Sequence, residues 1–275
     1  MSPPPDLGVR PRTEAEIVEA LRREGPALVA LSGGVDSSTV AALAHEALGP
    51  QVVAATVVSS AVSPRELETA REVARSIGLR HRWVVAEPLS DDRYRANGAD
   101  RCYRCRWVET QALRSVGEAE RVRQYLDGIH LDDLGDDRPG IRAMELAGFI
   151  HPLVWAGWTK SDARRYAQSM GLPNWDRPSN ACLASRVARG EPISRELLER
   201  IDQAEGVLLD RGFRRVRVRV QGGVVRVEVG HDEVDRLEDA LLRAELTDRL
   251  QRLGFGSVTY DPVGYLSRER LPVIR

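Results

Sequence analysis

Lysine is almost missing from this sequence of 275 residues, because Lys160 is the only one and the other Lys/Arg positions are all arginine. The chain also lacks an excess of positive charge, since its net charge is −1 and its isoelectric point is about 6.6. A protein that holds a polyanion such as tRNA normally presents a strong positive field. We therefore expect a small-molecule partner and no nucleic acid.

Long hydrophobic runs are missing as well. No apolar stretch approaches the roughly 20 residues that a membrane-spanning helix needs, and residues 1–12 contain no apolar core of the kind found in signal peptides. The sequence thus predicts a cytoplasmic protein with no membrane partner. Hydrophobic residues make up 42% and charged residues 29%, which argues against wholesale disorder.

Cysteine is scarce, with three residues in the chain. An odd number in a protein expected in the cytoplasm argues against a disulfide framework and favours metal or catalytic chemistry. Cys102 and Cys105 form a C-x-x-C motif, and Cys182 follows much later. A closed zinc site requires four ligands, whereas three thiolates that leave one iron open suit an iron–sulfur cluster. On spacing alone, a redox-active pair plus an unrelated buried cysteine is the alternative.

Short apolar runs alternate with segments of helical periodicity through the first two thirds of the chain. Strands are predicted at 27–31, 52–58, 81–86 and 121–127, and helices at 37–48, 64–77, 104–117 and 139–147. This alternation predicts an α/β fold in which helices cover both faces of a parallel sheet. Thr13 and Glu16 have the spacing of a capped helix start, and the proline-rich residues 1–13 are expected to form a flexible arm.

The pattern changes near residue 190. A predicted helix at 194–211 leads into two strands of strict alternation around Gly222-Gly223, which is typical of a β-hairpin. Short helices and a strand near 257–261 complete a smaller α+β domain. We therefore expect a parallel-sheet domain at 14–190 and a second domain at 191–275.

A glycine- and serine-rich loop joins the first predicted strand to the next helix, Ser32-Gly33-Gly34-Val35-Asp36-Ser37-Ser38. Glycines let the backbone approach an anion, serines donate hydrogen bonds, and a helix start offers free N–H groups. The lysine of the Walker motif is missing, which argues against kinase or GTPase chemistry. The loop resembles the SGGxDS loop of the PP-loop ATP pyrophosphatases, which cleave ATP between its α and β phosphates. A plain strand-to-helix turn is the alternative.

This resemblance implies an adenine nucleotide alpha hydrolase-like, Rossmann-like fold that uses ATP and Mg²⁺. It extends to Asp127-Gly128 after the fourth predicted strand, where related enzymes place backbone against the adenine side, although Ile129-His130 replaces their Thr-Asn. Asp36 or a neighbouring carboxylate is expected to help hold Mg²⁺. The residues expected to hold ATP are Ser32, Gly33, Gly34, Asp36, Ser37, Ser38 and Gly128.

Later segments carry a narrower resemblance that runs through most of the chain. They are Asp137-Arg138-Pro139-Gly140, Trp158-Thr159-Lys160, Gly171-Leu172-Pro173 and Arg177-Pro178-Ser179-Asn180-Ala181-Cys182-Leu183-Ala184-Ser185-Arg186. They resemble the LarE family, ATP-dependent sulfur transferases of nickel-pincer nucleotide biosynthesis. The substrate of that family is pyridinium-3,5-biscarboxylic acid mononucleotide.

The resemblance implies catalytic roles for the cysteines. Cys182 matches the sulfur-donor position, and family members with that cysteine alone give up its sulfur and are left with dehydroalanine. In members that also contain a C-x-x-C, as this chain does, the implied arrangement is a 4Fe-4S cluster on Cys102, Cys105 and Cys182 that binds sulfide. The resemblance also implies a sulfide source as partner and a homo-oligomer.

A substrate-phosphate site is implied in the same way. Ser185, Arg217 and Arg219 correspond to residues that hold the substrate phosphate, and Glu205 to an acidic residue near it. The domain at 191–275 is accordingly expected to bind that phosphate and to mediate oligomerisation. From the residues alone, Arg217 and Arg219 are better explained as the solvated face of a half-buried strand, paired with Arg226 and Glu228 opposite.

Lys160 also has two interpretations. Thr159 before it looks like a helix N-cap, so Lys160 is either an ordinary residue of the first helical turn or a phosphate ligand. It is not among the predicted site residues.

Three other functions compete with carboxylate activation followed by sulfuration. A tRNA thiolation enzyme shares the loop and the cysteines, but the near-neutral charge argues against it. An ammonia-dependent amide ligase of the NAD synthetase type needs the same adenylation and gives the cysteines no role. The alternative that is not an enzyme is a nucleotide-binding module.

Overall fold

The structure, a computed structural model, describes residues 11–135 and 139–265. The chain forms two compact units, one of Met1–Tyr94 with Asp100–Arg177 and the other of Arg95–Ala99 with Pro178–Arg275. Most of the predicted arm and the Asp137-Arg138 pair lie outside the described residues. Within the described ranges, no helix is long and apolar enough to span a membrane.

A parallel sheet with surrounding helices forms the first unit. Its strands are β1 Ala27–Ala30, β2 Val52–Val58, β3 Arg80–Val85, β4 Gln124–Leu126 and β5 Phe149–Ile150. The helices up to Arg177 are α1 Glu14–Glu24, α2 Val35–Leu48, α3 Pro64–Ile77, α4 Asp92–Arg95, α5 Arg101–Ala119, α6 Pro139–Leu146, α7 Pro152–Trp155 and α8 Lys160–Ser169.

The strand order is β3-β2-β1-β4-β5, and every pair is parallel. Strand β1 lies at the centre because both of its faces are apolar and covered. Val29 packs into one core cluster with helices α1, α2 and α8, and Leu28 packs into another with residues of α5 and α6. The predicted α/β fold with a covered parallel sheet is confirmed.

The order of the strands reverses at β1, since the chain passes first to β2 on one side and later to β4 on the other. Ligands of open parallel sheets bind at such a switch point, outside the carboxyl ends of the strands. The loop at residues 31–34 follows β1, and Asp127 follows β4. The fold therefore places the glycine-rich loop and Asp127-Gly128 at adjacent positions on this edge.

The predicted start of α1 is confirmed in detail. Thr13 accepts a hydrogen bond from the Glu16 backbone N–H, and the Glu16 carboxylate accepts one from the Thr13 backbone N–H at 2.8 Å. Two N–H groups that a helix start leaves without partners are thereby satisfied.

The second unit contains a three-stranded sheet packed on helices. Its elements are α9 Arg195–Leu209, β6 Val216–Gln221, β7 Val224–Val229, α10 Ala240–Arg252 and β8 Ser257–Tyr260. The predicted hairpin is confirmed, because β6 and β7 pair antiparallel around Gly222 and Gly223, whose φ values are 56° and 77°. A two-residue turn with two positive φ angles matches the twist of a hairpin and favours glycine at both positions.

The second unit begins at Pro178, ahead of the boundary expected near 190. Hydrogen bonds explain the difference, since Val187 forms a bridge to Val220 of β6 and the Ala188 N–H donates to the Val220 carbonyl at 3.0 Å. The Arg95–Ala99 segment joins the same unit through Asn97, whose side-chain amide donates to the Ala188 carbonyl at 2.8 Å.

Candidate functional site

The two glycines of the loop have different environments. Gly33 has φ +81°, and a Cβ added there would lie 2.9 Å from the Ala70 nitrogen and the Glu66 carbonyl of α3. Gly34 has the ordinary φ of −75°, and a Cβ there would meet only the Ser32 hydroxyl at 3.4 Å. Gly33 is thus needed for packing, whereas Gly34 faces open space at the start of α2.

Hydroxyl groups fix the shape of the loop. The Ser37 and Ser38 hydroxyls donate to the Gly34 carbonyl at 3.0 and 2.8 Å, and both side chains are buried. Ser32 is exposed, and its hydroxyl lies 3.1 Å from that of Ser37. No side chain caps α2. The helix therefore presents its first-turn N–H groups and positive dipole end beside an exposed Ser32 and Gly34, as an anion site requires.

Asn174 holds this loop from outside it. Its side-chain amide donates to the Gly33 carbonyl at 2.7 Å and to the Ser38 hydroxyl at 2.9 Å, and the residue is only 1% exposed. Asn174 follows the Gly171-Leu172-Pro173 segment that was noticed in the sequence, but nothing in the spacing predicted its contact with the loop.

The first turn of α2 carries Asp36, which forms an ion pair with Lys160 at the start of α8. The Lys160 backbone N–H donates to Asp132 at 2.8 Å, which links α8 to the loop after β4. The imidazole of His130 lies 3.9 Å from Asp36. The second carboxylate oxygen of Asp36 is buried without a hydrogen-bond partner. This oxygen and the ammonium group suit Mg²⁺ and a phosphate respectively.

Gly128 lies against the same turn of α2. A Cβ at Gly128 would lie 2.4 Å from the Ser37 nitrogen, so no side chain fits between the two segments. Before it, Asp127 is buried and lies 2.8 Å from His151. Burial lowers the pKa of His151, but the hydrogen bond and charge of Asp127 and the charge of Glu145 outweigh it and leave the pKa raised.

Cys102 and Cys105 both lie in the first turns of α5 and are partly exposed. The Cys105 thiol donates to the buried Glu109 carboxylate at 3.3 Å, and Cys102 lies 3.9 Å from the Arg101 guanidinium. Three thiols are a suitable donor set for an iron–sulfur cluster. Among the described residues, however, no three His, Cys, Asp or Glu side chains are grouped as a possible metal site.

Cys182 lies in the second unit, in a loop held by Arg186. The Arg186 side chain is fully buried and forms a two-pronged ion pair with Glu205, with distances of 2.8 and 2.9 Å. Its guanidinium also donates to the Ala181 carbonyl at 2.5 Å and the Cys182 carbonyl at 3.1 Å. Glu205, expected near the substrate phosphate, is therefore already paired with an arginine.

The two arginines of β6 differ from each other. Arg217 is only 6% exposed and donates to neutral oxygens of Asn180 at 2.5 Å and Ser179 at 3.3 Å. Within the described part of the chain, it forms no ion pair with a carboxylate. Burial, and next the charge of Arg186, lower its pKa. A buried guanidinium without a carboxylate partner favours an anion.

Arg219 instead forms an ion pair with Glu228 at 2.7 Å, and its side chain is 35% exposed. Its environment matches the alternative of a paired strand face. Ser185, the third residue expected at the phosphate, accepts a hydrogen bond from Arg186 at 3.0 Å through its hydroxyl.

Within each unit, the structure thus brings together part of the predicted set. In the first unit these are the loop residues, Asp36 and Gly128; in the second unit they are Ser185, Glu205, Arg217 and Arg219, close to Cys182 in the fold. Lys160 was missed, although a lone lysine among arginines is itself a signal that a compact ammonium group is needed there. Arg186 was quoted within a motif without a role.

Comparison with known proteins shows the family of this chain. The asparagine synthase family matches residues 8–91, which include the glycine-rich loop. A pyridinium-3,5-bisthiocarboxylic acid mononucleotide synthase of Lactiplantibacillus plantarum is 32% identical over 256 residues, which cover 92% of each chain. This chain belongs to the LarE family of PP-loop ATP pyrophosphatases.

Two further relatives differ in how much of this chain they match. The uncharacterized protein slr1717 of Synechocystis sp. is 38% identical over 241 residues, covering 88% of this chain and 90% of that protein. An NH(3)-dependent NAD(+) synthetase of Methanoregula boonei is 38% identical, but over only 63 residues, 22% of this chain and 25% of that protein. Of these three relatives, the Lactiplantibacillus and Synechocystis proteins share most of both units with this chain, whereas the synthetase shares a short segment.

Proposed function

We propose that this chain is an ATP-dependent sulfur transferase that converts a carboxylate of pyridinium-3,5-biscarboxylic acid mononucleotide into a thiocarboxylate. One observation carries the proposal: the similarity to the Lactiplantibacillus plantarum synthase covers 92% of this chain, so it includes most of the second unit with Cys182. A resemblance confined to the nucleotide loop would support adenylation alone.

The first chemical step is adenylation. A substrate carboxylate oxygen attacks the α-phosphorus of ATP, the bond between the α-phosphorus and the bridging oxygen breaks, and pyrophosphate leaves. The N–H groups at the start of α2 and the Lys160 ammonium are placed to stabilise the departing pyrophosphate. Asp36 is the residue that would hold Mg²⁺, which supplies neutralisation of phosphate charge when bound.

The second step replaces AMP by sulfur. If Cys182 itself donates, its thiolate attacks the acyl-adenylate carbonyl and AMP leaves, which gives a thioester. Loss of the Cα proton then breaks the Cβ–S bond and leaves a thiocarboxylate and dehydroalanine. This route consumes the protein, with a mass loss of roughly 34 Da, the mass of H₂S.

The three cysteines are also proposed to hold a 4Fe-4S cluster, which would supply an iron with an open coordination position for sulfide. The support is the number and chemistry of the thiols, since Cys102, Cys105 and Cys182 are all partly exposed and none forms a disulfide. This proposal includes a sulfide source as partner and a homo-oligomeric protein.

Recognition of the substrate phosphate is assigned to Arg217, with Ser185 and Arg219 nearby. Arg217 is the strongest candidate because its guanidinium is buried beside Arg186 and donates to neutral oxygens. An anionic phosphate would supply the missing negative charge.

The test is to incubate the purified protein with ATP, Mg²⁺ and the mononucleotide, and to measure pyrophosphate and thiocarboxylate. Substrate-dependent release of pyrophosphate and a sulfur-containing product are expected, and Asp36→Ala should abolish both. If pyrophosphate release does not depend on the mononucleotide, the proposed substrate is wrong.

The source of the sulfur is tested separately. Protein purified without oxygen is analysed for iron and acid-labile sulfide, and its intact mass is measured after turnover. Repeated turnover that is lost in Cys102→Ala supports the cluster. The opposite outcome is a single turnover by iron-free protein with a mass loss of roughly 34 Da, and the same result in Cys102→Ala. It would show that Cys182 is the donor and that the cluster is not required.

A further inference from the structure

We infer that Arg186 is a positioning residue for Cys182, and that it ties the geometry of the sulfur-bearing loop to the Arg217 site. This inference rests on the proposed function of Cys182 and Arg217. It adds a residue that acts through both without touching the reacting atoms.

The first argument is the number of groups that one side chain holds. One nitrogen of the Arg186 guanidinium donates to the Ala181 and Cys182 carbonyls and to the Ser185 hydroxyl. These acceptors precede, include and follow Cys182 along the chain. The rigid fork of an arginine therefore fixes the backbone on both sides of the thiol.

The second argument is that Arg186 itself is anchored. Its side chain is 0% exposed, and both carboxylate oxygens of Glu205 accept hydrogen bonds from it. Glu205 lies on α9 and also accepts a hydrogen bond from the Val218 N–H of β6 at 2.9 Å. The loop is thus fastened to the helix and to the strand that carries Arg217.

The third argument is the shared acceptor Asn180. Its side-chain oxygen accepts hydrogen bonds from Arg186 at 2.9 Å and from Arg217 at 2.5 Å. An anion that draws the Arg217 guanidinium toward itself competes with Asn180 for the same donor. Occupancy of the Arg217 site therefore alters the hydrogen bonds that hold the Cys182 loop.

The experiment compares Arg186→Lys with wild type. Lysine keeps a positive charge for Glu205 but cannot reproduce a planar fork that reaches several acceptors at once. The alkylation rate of Cys182 by iodoacetamide is followed by peptide mass spectrometry, with and without inorganic phosphate. Thiocarboxylate formed per pyrophosphate released is measured at saturating substrate.

We expect Cys182 of the Arg186→Lys variant to be alkylated at least threefold faster than Cys182 of wild type. The variant should also form at least tenfold less thiocarboxylate per pyrophosphate released. Phosphate should change the alkylation rate of wild type at least twofold and have less effect on the variant. Arg236→Lys is the matched control, because Arg236 is also an arginine of the second unit whose guanidinium donates to two backbone carbonyls, those of Arg211 and Gly212. It should change neither measurement more than twofold.

The inference would be overturned if Arg186→Lys left both the alkylation rate of Cys182 and the ratio of thiocarboxylate to pyrophosphate unchanged. A fall in thiocarboxylate and pyrophosphate by the same factor would also overturn it. If that variant does not fold, Glu205→Gln removes one anchor while leaving Arg186 in place, and the same direction of change is required. Failure of wild type to release substrate-dependent pyrophosphate would instead count against the proposed function, and the alkylation measurement would still test the role of Arg186.

Discussion

A single ammonium group distinguishes the nucleotide side of this protein. Lys160 is the only lysine, its side chain is 13% exposed, and it is paired with Asp36. Its position depends on contacts that are distant in sequence, since Asp132 accepts its backbone N–H and Thr159 caps its helix. The N-cap was predictable from the sequence, whereas the pairing with Asp36 was not.

Replacing Lys160 by alanine is expected to reduce pyrophosphate release by about 10²-fold, a typical effect of removing one group that stabilises developing charge. Lys160→Arg should also be impaired, because a planar fork does not replace a compact ammonium group. Ser161→Ala, on the same helical turn and exposed, is the control. Near-normal release by Lys160→Ala would show that the ion pair with Asp36 is only structural.

The two arginines of β6 are expected to behave differently. Arg217→Ala should raise the substrate KM about 10- to 100-fold, because a buried charged hydrogen bond contributes about 1.5–3 kcal/mol. Arg219→Ala removes a half-exposed pair with Glu228, for which under about 1 kcal/mol and less than about a fivefold change are expected. Steady-state kinetics with ATP held saturating measure both values, and equal effects would contradict the assignment of Arg217.

At the scale of the elements, the loop between β1 and α2 combines a glycine that is packed against α3 with one that faces open space. The sequence predicted both glycines as ATP-binding residues because composition alone does not distinguish a packing contact from open space. Only the proximity of α3 to Gly33 and the lack of neighbours at Gly34 make the distinction.

We expect Gly34→Val to fold with a near-normal melting temperature but to release no pyrophosphate, because its side chain would occupy the space at the helix start. Gly33→Ala should lower the melting temperature, since a positive φ costs a non-glycine residue about 1–2 kcal/mol and its Cβ would clash with α3. Differential scanning fluorimetry and a pyrophosphate assay separate the two. A stable Gly33→Ala with normal activity would contradict this division of roles.

The elements predicted best were those with strong periodicity. The segments β2 and α3 have the predicted bounds, and the hairpin forms around Gly222-Gly223, because each pattern is long or bordered by glycine or proline. The two-residue strand β5 has no alternation to detect, and its place beside β4 is set by tertiary packing. The residues alone favoured a solvated face for Arg217, and only the fold shows that its side chain is buried.

For the whole molecule, stability is expected to depend on pH through His151. The pKa of His151 is raised in the folded protein. Its contribution to the free energy of unfolding is therefore fully present below the ordinary pKa of 6.5 and is lost as the pH rises through the raised pKa. The melting temperature of wild type should therefore exceed that of His151→Gln by more at about pH 5.5 than at about pH 8.5. His81 provides the control, because burial lowers its pKa. The melting temperature of wild type should therefore exceed that of His81→Gln by more at higher pH.

The lone lysine also makes the nucleotide site selectively visible to chemical labelling. Since Lys160 carries the only ε-amine of the chain, an acylating reagent can modify only one lysine side chain, and peptide analysis separates that product from any acylated α-amine. The ammonium group of Lys160 donates a hydrogen bond to Asp36, so its labelling rate reports whether that pairing is intact. Protection of this single amine by ATP, read as one mass increment on one peptide, would measure nucleotide occupancy directly without an engineered reporter.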